Sequence, residues 1–135
     1  MAEFVAGLSR LEHCMPNRAW WLDLCRAIDA KDTQAFVSFL TEDCEFRFAN
    51  GPSAIGHAAI GAAVDGFWAS IRSSRHEVGR NWSDADSRVC EGYCTYTRHD
   101  GSQVRLPFVD VLFFRGEKAA KYYIYMDVAP LYAQK

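Results

Sequence analysis

The chain has 135 residues, half of them hydrophobic and 14% aromatic, with 15 basic against 17 acidic side chains and a formal charge of −2. That is one domain of ordinary size, able to bury about two-thirds of its unfolded surface. Charges of either sign are scattered, which argues against nucleic acid or a membrane surface as a partner.

Residues 1–16, "MAEFVAGLSRLEHCMP", lack the basic start of a signal peptide and read as an N-terminal arm. Asn17 then caps a predicted helix whose Trp20, Leu24 and Ile28, with Trp21 and Cys25, form one apolar stripe. A short helix near Asp32 buries Phe36, Phe39 and Leu40. "CEFRFA" alternates, with Cys44, Phe46 and Phe48 facing one way, as in a half-buried strand. "ANGPSAIG" is a turn cluster, and the next helix aligns Ile60, Val64, Phe67 and Ile71. This stretch carries His57 and Asp65, which spoils it as a membrane span.

After Ser74 the pattern changes to four strands, "RHEVGRNWS", "SRVCEGYCTYTRH", "QVRLPFVDVLFF" and "KAAKYYIYMDV", joined by "DAD", "DGS" and "RGE". Helices gathered early and strands late mean α+β. The central strands, roughly twelve residues at about 3.3 Å each, would overshoot a compact domain if flat. The sheet must therefore curl, with Gly92 a candidate kink or bulge, and a curled sheet over helices encloses a pocket.

The five cysteines (14, 25, 44, 90 and 94) form an odd set with no CxxC, so they read as reduced thiols packed in a core. A soluble, cytoplasmic protein is expected. His13, His57 and His99 have no ligand spacing, so no metal or cofactor is expected.

The order of elements, with "AIDAKDTQAFVSFLTEDCEF", "AIGHAAI", "LPFVDVLFF" and "YYIYMD", resembles the nuclear transport factor 2-like superfamily, in its SnoaL-like and ketosteroid isomerase branch. The resemblance covers roughly residues 17–132 and implies a single domain: a cone-shaped, cystatin-like roll with three N-terminal helices in a curved, mostly antiparallel sheet. It also implies a pocket for a mid-sized hydrophobic molecule and a homodimer through the outer sheet face. Isomerases, polyketide cyclases, dehydratases, epoxide hydrolases and plain binding proteins share this fold. On the isomerase pattern Asp110 falls on the oxyanion-binding acid, whereas its tyrosine falls near Leu24 and its base near Phe48 or Arg47. The epoxide hydrolase residues fall near Thr95, Thr97 and Ile124. Only Asp110 is chemically matched.

Asp110 shares a strand face with Leu106, Phe108, Leu112 and Phe114, while Pro107, Val109, Val111 and Phe113 occupy the other. Either face surrounds the acid with apolar groups, which would raise its pKa; pairing with Arg105 or Arg98 is the bland alternative. His76 suits proton transfer near neutrality, or is an ordinary strand histidine. Tyr93 and Thr95 could present hydroxyls to a pocket, unless Cys90, Cys94 and Tyr96 face inward instead. Asp110, His76 and Tyr93 are thus the catalytic candidates. Trp20, Leu24, Phe46, Phe48, Phe67, Thr95, Phe108, Tyr122, Ile124 and Met126 are the candidate pocket lining. Cofactor-free isomerisation, cyclisation or dehydration is the expected chemistry, with a ligand carrier or an assembly module as alternatives.

Overall fold

The structure is a computed structural model that describes residues 17–133; the expected arm, with His13 and Cys14, lies outside the described residues. Three helices lead, α1 (Arg18–Asp29), α2 (Thr33–Val37) and α3 (His57–Ala69). Strand β1 (Leu40–Phe48) and the two-residue β2 (Ala54–Ile55) stand between α2 and α3. Four long strands follow: β3 (Ser73–Asp84), β4 (Ser87–Thr97), β5 (Gln103–Arg115) and β6 (Lys118–Tyr125). A short α4 (Ala129–Tyr132) closes the described chain. The fold is α+β, as the segregated pattern implied.

The strands form one sheet in the order β2-β1-β6-β5-β4-β3, curved and unclosed. All neighbours are antiparallel except β1 and β6, which run parallel. The helices cover one face and bury Trp21, Leu24, Phe36, Ile60 and Trp68 against Leu112 and Tyr122 of the sheet. Alternation sets the inner face of β5, where Leu106, Phe108, Asp110, Leu112 and Phe114 are buried. Pro107, Val109, Val111 and Phe113 point the other way and remain partly or fully exposed in the single chain. Only one face of β5 is covered by the helices, although the residues of both faces are apolar.

The curl has a local cause. β3 takes three steps from Val78 to Asn81 while β4 takes two from Gly92 to Cys90, so β3 carries a bulge. Gly92 sits opposite it, and a Cβ there would lie 2.1 Å from the Glu77 carbonyl oxygen and 3.0 Å from the Phe108 ring. Only a glycine lets the two strands and that ring approach so closely. The irregularity expected at Gly92 lies opposite it, on β3, while the register of β4 with β5 runs unbroken through Gly92.

Two expectations are corrected at the helix starts and ends. Asn17 begins α1, but in the left-handed region (φ 63°) and with no side-chain cap bond. Asp32 does cap α2, accepting from the Ala35 N–H at 3.0 Å. Ile71 is buried as expected, yet it lies beyond the end of α3, where Trp68 completes the apolar face.

Candidate functional site

Asp29 is the last residue of α1, the end of a helix at which a carboxylate is electrostatically disfavoured. It is retained there by three donors from β3. The His76 backbone N–H reaches Oδ2 at 2.9 Å, while the Ser74 hydroxyl and His76 Nδ1 reach Oδ1 at 2.8 and 2.6 Å. Burial alone would raise the Asp29 pKa, but its bonds to His76 outweigh that and lower it. Burial likewise opposes charge on His76, yet the Asp29 bond, helped by Cys94, carries its pKa up to about 10. The pair is an imidazolium held by a carboxylate at neutral pH. With Nδ1 committed to Asp29, the other ring nitrogen, Nε2, has no hydrogen-bond partner among the described residues.

Asp110 lies across the sheet from this pair. It is buried, and burial pushes its pKa up to about 7, with His76 and then the Tyr122 hydroxyl pulling the other way. Tyr122 donates to Oδ2 at 3.3 Å, and Oδ1 has no hydrogen-bond partner among the described residues. The bland alternative of a salt bridge fails. Arg105 is bound to Glu77 on the outer face at 3.0 Å, and Arg98 donates to the Leu131 and Pro130 carbonyls at 2.8 Å.

One cavity, of about 90 Å³, joins these groups. Its polar wall is Ser74, His76, Tyr96, Asp110 and Tyr122. Its apolar wall includes Phe46, Phe48, Phe67, Phe108, Ile124 and Met126, as the sequence suggested. The cavity is narrower than the roughly 300 Å³ or more of typical ligand pockets.

Four expected residues stand elsewhere. Tyr93 is 42% exposed on the outer face, with the Arg105 guanidinium 3.7 Å from its ring centre. Thr95 shares that outward face, between Arg75 and Arg105 in register. The inward set on β4 is Cys90, Gly92, Cys94 and Tyr96, the alternative register, because Gly92 is the position pressed against the Phe108 ring. Trp20 packs among Trp21, Phe39 and Phe114, and Leu24 is wholly buried in the core; neither reaches the cavity. Asp29 was missed. The signal that could have found it is an acid in the last turn of "RAWWLDLCRAID", where the helix dipole favours a base.

Residues 21–122 match the model of the SnoaL-like domain. The chain belongs to the SnoaL-like family. An NTF2-like protein of unknown function from Burkholderia pseudomallei K96243 is similar in structure, with a TM-score of 0.77 at 19% identity over 85% of this chain and 93% of that one. TerC, co-crystallised with polyporic acid, gives 0.76 at 20% identity over 86% and 95%. A protein of ketosteroid isomerase-like fold from Catenulispora acidiphila DSM 44928, in complex with trimethylamine, gives 0.73 at 16% identity over 82% and 85%. No curated protein matches the chain. Among the described residues no three His, Cys, Asp or Glu side chains are grouped to hold a metal ion, and no helix is long and apolar enough to cross a membrane.

Proposed function

We propose that this SnoaL-like domain is an acid–base catalyst acting on a small, largely apolar molecule that carries a carbonyl group. The observation that carries the reading is that Asp110 and His76 line one cavity. Asp110, with a pKa near neutrality, can take a proton from the carbon beside a carbonyl and give it back. His76, kept charged by Asp29, offers Nε2–H to the negative charge that gathers on the carbonyl oxygen. The fixed imidazolium is thus the electrostatic partner, and the isolated carboxyl is the proton carrier.

Three outcomes balance. Where the ketone is unsaturated, Asp110 returns the proton to the far carbon of the dienolate, which is isomerisation. It protonates a departing hydroxyl, which leaves as water, in dehydration. In the third case the enolate carbon attacks a second carbonyl of the same molecule and the resulting alkoxide takes the proton, which closes a ring. We further read the described residues as one domain. We also read the exposed apolar strip of β5, flanked by Tyr123 and Tyr125, as the seat of a homodimer, because Phe113 and Tyr125 are 40% and 51% exposed.

The test uses monocyclic enones and 1,3-diketones in deuterated water, with NMR reading exchange of the hydrogens beside the carbonyl. Exchange accelerated by the protein and lost in Asp110→Asn is expected. A ketone that binds, as judged by thermal shift, yet exchanges no faster than in buffer returns the domain to the role of a carrier.

A further inference from the structure

Among the described residues, four buried side-chain atoms have no hydrogen-bond partner in the protein: Trp21 Nε1, Asn81 Nδ2, Asn81 Oδ1 and Asp110 Oδ1. Two are donors, and two are acceptors while Asp110 is ionised. Their placement is not scattered. Asn81 pairs with Cys90 across β3 and β4, and Cys90 pairs with Asp110 across β4 and β5, so the three stand in one row on the inner face. Simple alternation from His76 and Val78 would turn Asn81 outward; the bulge on β3 reverses it, and Asn81 is 1% exposed. α1 lies over the same row. It is tied to β3 at its C-terminal end by Asp29 to His76, and near its start by Arg18 Nη1 to the Val78 carbonyl at 3.2 Å. Trp21 therefore sits at the Asn81 end of the strand.

Asn81 and Asp110 are two strands apart, about 10 Å between their backbones, which is too far for a direct bond between two short side chains. The residue between them, Cys90, is small, and its thiol is directed along its own strand toward the Glu91 carbonyl, 3.6 Å away. We propose that Asn81 is a positioning residue for Asp110, acting through buried water held over Cys90 by the Asn81 amide and the Trp21 indole N–H. Such water accepts from Trp21 Nε1 and Asn81 Nδ2 and donates to Asp110 Oδ1, which satisfies three of the four orphaned atoms and meets the two-to-four partners a buried water needs. Tyr122 holds one carboxyl oxygen from the cavity side; the water holds the other from behind. This fixes the plane of the carboxyl, and it gives the carboxylate a second donor. The other ionisable groups facing Asp110 are His76 from β3, Cys90 and Tyr96 from β4, Tyr122 from β6 and Cys25 from α1.

The inference is read without turnover, so it stands or falls apart from the catalytic proposal. The measurement is a carbon-13 NMR titration of the Asp110 carboxyl in the full chain, with Asn81→Leu beside the wild type. A water that donates to the carboxylate favours its charged form, so its loss raises the midpoint by about one unit, a tenfold gain in proton affinity. A midpoint unchanged in folded Asn81→Leu overturns the proposal. Cys90→Val, which fills the space and leaves the amide in place, provides the second reading and moves the midpoint the same way. A high-resolution crystal structure of the wild type decides even if both variants fail to fold. Water within hydrogen-bond distance of both Asn81 and Asp110 supports the role, and a dry row or an amide bonded directly to protein groups removes it.

Discussion

Asp29 binds both nitrogens of His76 that it can reach, the backbone N–H at 2.9 Å and ring Nδ1 at 2.6 Å, so the imidazole is fixed in position and in charge by one carboxylate. A helix end and a strand start are joined by the same contact that orients Nε2.

The first prediction follows from linkage. His76 has a folded pKa of about 10 against an ordinary 6.5, so its stabilisation is complete below pH 6.5 and disappears as pH rises through 10. Asp29 is shifted down, so its share is complete above the ordinary carboxylate value and is lost as pH falls through its lowered one. Asp29→Asn should flatten the alkaline limb of a urea-stability profile, and NMR should find the His76 midpoint at or below 6.5. A His76 midpoint still near 10 in the variant would show that Asp29 is not the cause.

Asp110 has the opposite sign. Its pKa is raised from 3.8 to about 7, so the native state holds the extra proton and stability declines between about pH 4 and pH 7. Asp110→Asn should remove that decline, gaining at most about 4 kcal/mol at pH 8 and little at pH 4. The same variant should exchange no ketone hydrogens. Equal stability of the two proteins across the range would contradict a buried, neutralised acid.

Ala63 lines the cavity yet is exposed, which places it at the opening on α3. Ala63→Trp should bar ligands from the interior while shifting stability by less than about 0.5 kcal/mol, as exposed substitutions usually do. Calorimetric titration with an enone that binds the wild type checks this, and undiminished affinity would put the entrance elsewhere.

Gly92→Ala should cost about 3 kcal/mol or more, since the new methyl meets a backbone oxygen that cannot rotate away. Urea denaturation measures it. Gly66→Ala on α3, where a Cβ meets nothing within 4 Å, serves as the control and should be neutral or stabilising.

The outer-face reading predicts that Val111→Arg converts a dimer to a monomer with the cavity intact. Light scattering after gel filtration reports the mass. A wild type that is monomeric at high concentration would leave that strip to another partner.

Much of the architecture was legible because it rests on periodicity. "CEFRF" alternates in polarity, "LPFVDVLFF" is a long apolar run, and both are strands whose burial alternates in the fold. The face of β4 was not legible, since Glu91-Gly92-Tyr93 offers no apolar asymmetry and the bulge that determines the neighbouring register lies on β3. Asp110 stood out because a lone charge in an apolar run has few innocent explanations. Asp29 did not, because its partner lies 47 positions away and helix surfaces carry acids routinely. Tyr93 looked promising as a hydroxyl, but position along a strand cannot tell a pocket from a surface when both faces are mixed.

The single parallel pairing, β1 beside β6, has a consequence for how the molecule is made. Glu45 meets the Tyr123 hydroxyl at a separation of 78 positions, so the first strand finds its neighbour only after the last strand has been synthesised. Until then β1 has only the two-residue β2 beside it, and its long edge is open to whatever strand arrives first. Assembly of this domain should be slow and late, and a nascent chain stalled before residue 118 should be the species that chaperones hold.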